Sequence, residues 1–303
     1  MRRVVITGAG GLLGQYVVRA VAQGGGEVAG LDLRPAAGCA VFHQASILDP
    51  EALETAFAGA DCVLHIAAAA NIGAGSARDI IALNGQGSCN VLEAALRAGV
   101  RRVVLCSSDS VMGNTVWPDH FWCPDSLPVP ERHELRPADP YALSKLMAEE
   151  AGRAYVRRGL QVLALRPVFV LFPSMMGEVR ARHADPAGYR GPCAGGHVAA
   201  GGGLCWHHVD PYDLAEAFRL AIDSQWRGFD AFWLAAPSTL HAMPTLDRIR
   251  TAFGRLPETM DRALYERRPF APMFDTGHAE RQLGWRAQHD HRAAIFSAER
   301  TDA

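Results

Sequence analysis

Along the chain, short apolar runs alternate with longer stretches of helical spacing. RRVVITG is an apolar run that ends in glycine and predicts a strand. LLGQYVVRAVAQ repeats its apolar positions three and four apart and predicts a helix, and GGGEVAGLDLR turns back into a second strand. The same unit recurs as the helix-like DPEALETAFAGA, strand DCVLHIAA, helix SCNVLEAALRAG, strand RRVVLCSS, helix DPYALSKLMAEEAGRAYVRRG and strand LQVLALRP. Strands that alternate with helices in this way predict an α/β, doubly wound parallel sheet. Its ligands bind beyond the carboxyl ends of the strands.

The rhythm breaks after Pro167. Between residues 173 and 205, Gly and Pro interrupt any period, so this stretch reads either as a lid over a site or as a tolerated insertion. The pattern recovers in CWHHVDPYDLAEAFRLAI, with Asp213 expected as a helix N-cap, and continues through a strand FDAFWLAA to a C-terminal piece ending in DTGHAERQLGW. The expected division is a nucleotide-binding part over 1–166, to which 206–237 returns. A small substrate-binding part is expected from 167–205 and 238–303.

Composition narrows the partners. The chain has 303 residues, 49% of them hydrophobic, which is enough to bury a sizeable core. A formal net charge of -2 provides no field to gather nucleic acid or an anionic membrane. No apolar run is long enough to span a bilayer, and the start of the chain has no leader pattern, so a cytoplasmic location is expected. The seven cysteines are odd in number and include no Cys-x-x-Cys pair, so they read as reduced, structural thiols.

TGAGGLLG, residues 7 to 14, follows the first strand and opens the first helix. Gly8 permits the tight turn, Gly11 lets a pyrophosphate approach the backbone, and Gly14 allows the helix to pack closely. The helix N-terminus supplies free N–H groups for phosphates. Asp32, at the end of the second strand, is placed to accept hydrogen bonds from both adenosine ribose hydroxyls. It would repel a 2'-phosphate, which favours NAD over NADP, although Arg34 offers such a phosphate a partner. The fold expectation is therefore a Rossmann-type sheet with bound NAD.

YALSK, residues 141 to 145, holds the only lysine in the chain. On a helix, Tyr141 and Lys145 lie one turn apart on one face. An ammonium there, together with a positively charged nicotinamide, is expected to lower the Tyr141 phenol from about 10 toward neutrality, making it a proton donor and acceptor. Arginine's wide planar fork does not replace a compact ammonium that must touch both a phenol and a ribose. Ser108, at the end of the strand VVLC, is expected to orient the substrate oxygen against Tyr141, with Ser107 and Ser110 as competitors. There is no Gly-x-Ser-x-Gly elbow for a serine hydrolase. His207 and His208 adjoin Asp210 and read as packing and capping residues. Cys193 and His197 have ligand-like spacing but no second pair, so no metal is expected.

With these motifs in hand, the chain resembles, over nearly its whole length, the extended short-chain dehydrogenase/reductase family, the NAD-dependent epimerase/dehydratase group. TGAGGLLG, LDLR, HIAAAA, NGQGSCNVLEAA, CSSDSVMG, YALSK, LRPVFV and DPYDLA carry the likeness. The resemblance implies catalysis by Ser108, Tyr141 and Lys145. It implies cofactor contacts from Gly8, Gly11, Leu12, Leu13, Gly14, Asp32, Ser46, Ile47, Ala67, Ala68, Asn84, Tyr141, Lys145 and Pro167. It also implies a homodimer built on the helices around 88–98 and 141–158.

Departures from the family pattern bear on the substrate. Ser46 stands where relatives often place an Asp for the adenine amino group, and Met112 where they often place a tyrosine. Nucleotide-sugar enzymes commonly show Arg-x-x-Asn to contact pyrophosphate, whereas here Arg166 is followed by Pro167, Val168 and Phe169. The later arginine is also missing from GGGLCWHHVD. Each lost partner would cost a diphosphate about 1–3 kcal/mol. A nucleotide-free sugar or natural-product intermediate is the expected substrate, with Arg268 as a remaining anion partner. WPDHFWC, residues 117 to 123, offers aromatic faces either to a sugar ring or to the core. The expected activity is an NAD-dependent oxidoreductase acting on a hydroxyl or carbonyl. A nucleotide-sugar epimerase or dehydratase stays open, as does a catalytically silent NAD-sensing protein.

Overall fold

The computed structural model describes residues 2–185 and 204–296. In chain order its strands are β1 (Arg3–Thr7), β2 (Glu27–Asp32), β3 (Val41–Gln44), β4 (Cys62–His65), β5 (Arg102–Cys106) and β6 (Ser126–Leu127). They continue with β7 (Gln161–Pro167), β8 (Phe169–Val170), β9 (His208–Val209), β10 (Phe229–Leu234) and β11 (Thr259–Met260). The helices that matter for the site are α1 (Leu12–Gln23), α2 (Pro50–Phe57), α3 (Ala77–Ile80), α4 (Gly87–Arg97), α5 (Pro140–Val156), α6 (Met176–Ala184) and α7 (Pro211–Asp223).

Seven strands form one sheet in the order β3-β2-β1-β4-β5-β7-β10, every pair parallel. The strand order reverses direction between β1 and β4, which leaves a crevice beyond their carboxyl ends where a dinucleotide fits. This is the Rossmann-type architecture that the alternation of elements predicts. β6 pairs with β11 and β8 with β9 in two small parallel sheets. β10, the late strand FDAFWL, adds to the main sheet at β7.

Alternation along the strands sends side chains to two cores. Val4 and Ile6 of β1 pack with Val17, Val18 and Val21 of α1 and Phe218 of α7 on one face. Val5 packs with Leu53 and Phe57 of α2 and Val91 and Leu92 of α4 on the other. Both sheet faces are covered, which explains why β1, β4 and β5 read as continuous apolar runs. β3 gives no comparable pattern. Its four residues lie on the edge, partly exposed, and they are placed by pairing with β2 rather than by burial.

Two sequence expectations need correction. Asp210, not Asp213, caps α7, its carboxylate accepting from Tyr212 N at 2.7 Å. Asp213 lies inside the first turn and instead accepts from the backbone of Gln288 and His289. It therefore fastens the C-terminal segment to α7. Within 173–205, a 3-10 turn at Pro173–Met175 leads into α6, and the glycine-rich remainder, with Cys193 and His197, falls outside the described residues.

Candidate active site

A cavity of about 740 Å³ opens along the carboxyl ends of β1, β2, β4, β5 and β7. Its outer half is the glycine turn. Gly8 has φ +77°, and a Cβ there would lie 2.5 Å from Ala67 N, while one on Gly14 would lie 2.0 Å from Gly8 O. Only glycine fits at either position, so the turn stays tight and the first N–H groups of α1 open onto the cavity. Asp32 stands at the rim, its two carboxylate oxygens accepting from Gly10 N at 3.0 Å and Arg34 N at 2.9 Å. Leu12, Leu13, Ser46, Ile47, Ala67, Ala68 and Pro167 line the same cavity. The lining is narrow, carries N–H donors at one end and holds a carboxylate for ribose, so these residues fit NAD.

Asn84 lies elsewhere. It sits in a π-helical segment, Ile81–Gln86, between α3 and α4. Its amide accepts from Ala69 N at 2.8 Å and donates to Ala69 O at 3.1 Å and to Ser144 Oγ at 2.9 Å. Asn84 thus ties the loop after β4 to α5 and stands behind the cavity wall rather than in it.

The inner half is built by α5 and the end of β5. Asp139 caps α5 by accepting from Ala142 N at 2.9 Å, and Pro140 occupies the first turn, where its missing N–H costs nothing. Lys145 is buried, and its ammonium donates to Cys106 O at 2.8 Å, 5.6 Å from the centroid of the Tyr141 ring. Ser108 follows β5. Its hydroxyl accepts from Ser110 N at 3.1 Å and donates to Asp109 Oδ1 at 3.2 Å. Ser108, Tyr141 and Lys145 all line the one cavity. Ser107 lines it too, but its hydroxyl is engaged, donating to Glu149 Oε1 at 2.5 Å. That carboxylate is held in turn by two bonds from Arg166, at 2.8 and 2.7 Å. Glu149 is one helical turn beyond Lys145, so this fully buried pair locks the Tyr-Lys face of α5 against β5 and β7.

The electrostatics differ from the sequence expectation. Burial, above all, pushes the Tyr141 phenol up, with Cys106, Asp109 and Asp139 adding to the rise and the Ser108 hydroxyl opposing it. Burial also lowers the Lys145 ammonium. The chain's own groups therefore keep Tyr141 protonated. Asp109, which sequence reasoning passed over, lines the cavity, and burial pushes its carboxyl up to about 7. An acid that follows a cap residue reads as an ordinary first-turn residue, so nothing in the local pattern marks it.

Other expectations are placed as follows. His207 is buried and accepts from Met273 N at 3.0 Å, and His208 accepts from His291 N at 3.1 Å, so both serve packing. Arg268 donates to Pro237 O at 2.7 Å and does not reach the cavity. In WPDHFWC, Trp122 donates to Met112 O at 2.9 Å and lies under Arg136, so this aromatic packs against the loop. Met112 is buried and lines the cavity. Among the described residues, no group of three or more His, Cys, Asp or Glu is placed to hold a metal, and no helix is long and apolar enough to cross a membrane.

The chain is 28% identical over 289 residues to cinnamoyl-CoA reductase 1 of Oryza sativa subsp. japonica, covering 84% of this chain and 77% of that one. It is 28% identical over 328 residues to UDP-glucose 4-epimerase of Azospirillum brasilense, covering 97% and 89%. A short-chain dehydrogenase/reductase superfamily protein from Agrobacterium tumefaciens, solved with bound NAD, superposes with a TM-score of 0.69 at 24% identity, covering 98% of each chain. Residues 4–228 match the model of the NAD-dependent epimerase/dehydratase family. A glycine turn, a rim carboxylate and a Tyr-Lys pair meet in one crevice, and the chain belongs to this family of NAD-dependent enzymes.

Proposed function

We infer that the protein is an NAD-dependent oxidoreductase acting on a hydroxyl or carbonyl of a small molecule that carries no nucleotide, such as a sugar or a natural-product intermediate. The observation that carries this reading is the convergence of Ser108, Tyr141 and Lys145 on the cavity that begins at the glycine turn. NAD, when bound, supplies the hydride acceptor or donor. Ser108 binds the substrate oxygen and holds it against the phenol. Tyr141, kept protonated by its surroundings, gives a proton to that oxygen during reduction, and in the reverse direction its phenolate, the form left by that transfer, takes the proton from the alcohol. Lys145, fixed by Cys106 O, stabilises the phenolate left behind. Beyond Lys145, no Arg or Lys among the described residues lines the inner half of the cavity, where the chamber is formed mainly by Met112, Val116, Phe169, Phe172, Met273 and Phe274. A diphosphate would lose its partners there.

Incubating the protein with NAD and a panel of alcohols, free sugars and UDP-sugars, while following NADH absorbance, tests the reading. Stoichiometric NADH from nucleotide-free compounds supports it. Tyr141→Phe should lower turnover by about 10²–10⁴-fold while NAD still binds, and full activity in that variant would remove Tyr141 from the proton route. The near full-length likeness to a UDP-glucose 4-epimerase favours a second reading, an epimerase that returns the hydride before release. It would appear as inversion of a UDP-sugar without accumulated NADH. The outer face of α5 exposes Leu143 and Met147, which supports a homodimer across α4 and α5, and light scattering on the purified protein measures it.

A further inference from the structure

Among the described residues, Asp109 is the one carboxylate in the inner chamber, and the mechanism above leaves it without a task. It follows Ser108 directly, and its Oδ1 lies 3.2 Å from the Ser108 hydroxyl. No cation among the described residues pairs with it. Ser108 and Ser110 lie on its own turn, Tyr141 lines the same chamber, and Asp139 at the start of α5 raises its carboxyl further; Lys145, the cation of the chamber, is held by Cys106 O. Ser110 and Thr115 line the same wall, and each carries a buried hydroxyl with no partner among the described residues. Unpaired polar capacity is thus concentrated beside the position of the reacting oxygen, in a chamber whose wall is mainly apolar. Buried polar groups are ordinarily satisfied, so a wall of this kind implies a ligand that satisfies it. Ser108 Oγ and Asp109 Oδ1 are neighbours at 3.2 Å, so one molecule with two adjacent hydroxyls can engage both once a substrate hydroxyl replaces Ser108 as the donor to Asp109.

We propose that Asp109 is the specificity-determining residue of the inner chamber: its carboxylate accepts a hydrogen bond from a second substrate hydroxyl, next to the carbon that exchanges hydride. The enzyme then selects uncharged vicinal diols and α-hydroxy carbonyl compounds. It passes over simple alcohols, which have no second hydroxyl to donate to the carboxylate, and anionic nucleotide sugars, which the carboxylate repels. This rests on the oxidoreductase reading for which carbon reacts, but the recognition itself is measurable without turnover.

The experiment uses NADH-loaded protein, in which an alcohol forms a dead-end complex. Binding of cis-cyclohexane-1,2-diol and of cyclohexanol is followed by the fluorescence of bound NADH. The wild-type protein should bind the diol about tenfold or more tightly than the mono-alcohol, the scale of discrimination expected when a site's buried polar group is paired by one ligand and not by the other. In Asp109→Ala that ratio should fall to about one, and in Asp109→Asn, which keeps an acceptor oxygen, to an intermediate value. Equal affinities in the wild type, an unchanged ratio in Asp109→Ala, or binding of neither probe would each overturn the proposal. Circular dichroism of both variants separates a lost ratio from lost folding, because a variant that stays folded with NADH bound reports recognition alone. Failure of the oxidoreductase reading appears elsewhere, as absence of NADH formation from NAD across the whole substrate panel.

Discussion

Asp109 shows how one residue can be costly to the fold and useful to the site. Its carboxyl titrates near 4 in an unfolded chain and about 7 here. The unfolded chain therefore releases its proton first, and stability is lost as pH rises between those values. Asp109→Asn should stabilise the protein by up to about 4 kcal/mol at pH 8 and by almost nothing at pH 4, read by chemical denaturation at the two pH values. A gain of the same size at both would place the effect in packing rather than ionisation. Such a gain in stability at the expense of selectivity is the usual trade at a functional position. Tyr141 and Lys145 were legible because a helix puts residues four apart on one face and the lysine has no competitor in the chain. Asp109 was not, because what raises its carboxyl is burial in a chamber whose other walls, among them Tyr141 of α5 and Phe274, come from segments far along the chain.

At the scale of elements, α5 organises the site. Its row Tyr141, Lys145 and Glu149 runs along one face, and the last member is clamped by Arg166 of β7 with neither side chain exposed. Removing one partner leaves a buried charge alone, so Glu149→Leu should destabilise the protein by about 3–5 kcal/mol. Glu149→Leu combined with Arg166→Met should recover much of that loss, as measured by a double-mutant cycle in denaturant. Equal destabilisation by the single and double variants would show that the pair's hydrogen bonds to Ser107 and Glu131 O carry the cost instead. The glycine turn is the second such element. Gly14→Ala puts a methyl 2.0 Å from a backbone oxygen that cannot move aside. NAD affinity should drop below detection by calorimetry, or the protein should fail to accumulate in folded form. The sequence pattern located both elements correctly because each depends on local spacing. It misplaced the cap of α7, since Asp210 and Asp213 are both plausible by composition, and only the docking of Gln288 and His289 decides which carboxylate is free to cap.

The whole molecule carries a pH dependence of its own. His65 bridges Thr7 Oγ1 and Ser88 Oγ between β4, β1 and α4, and burial lowers it to about 3. His207, against Met273 N and the Phe274 ring, is also lowered to about 3 by burial. Both stay neutral in the folded protein, whereas the unfolded chain takes up protons below about 6.5. Stability from these two is complete above that value and is lost as pH falls toward 3. Each should cost about 2 kcal/mol by pH 5, so the melting temperature should drop between pH 7 and pH 5. His65→Gln, which keeps hydrogen-bonding capacity without the charge, should flatten that drop. A melting temperature independent of pH across this interval would contradict the assignment.

By itself, the order of apolar runs determined the parallel sheet, because strands buried on both faces must be continuous in hydrophobicity and helices must be periodic. Residue spacing on one helix and in one turn likewise determined the Tyr-Lys pair and the dinucleotide turn. Only the tertiary structure decided what the cavity will accept. It turned Arg268 and Trp122 away from the chamber, put Asn84 behind its wall, left Tyr141 protonated and brought Asp109 beside Ser108. Those outcomes depend on desolvation and on contacts between residues far apart in sequence, and neither is encoded in any local period.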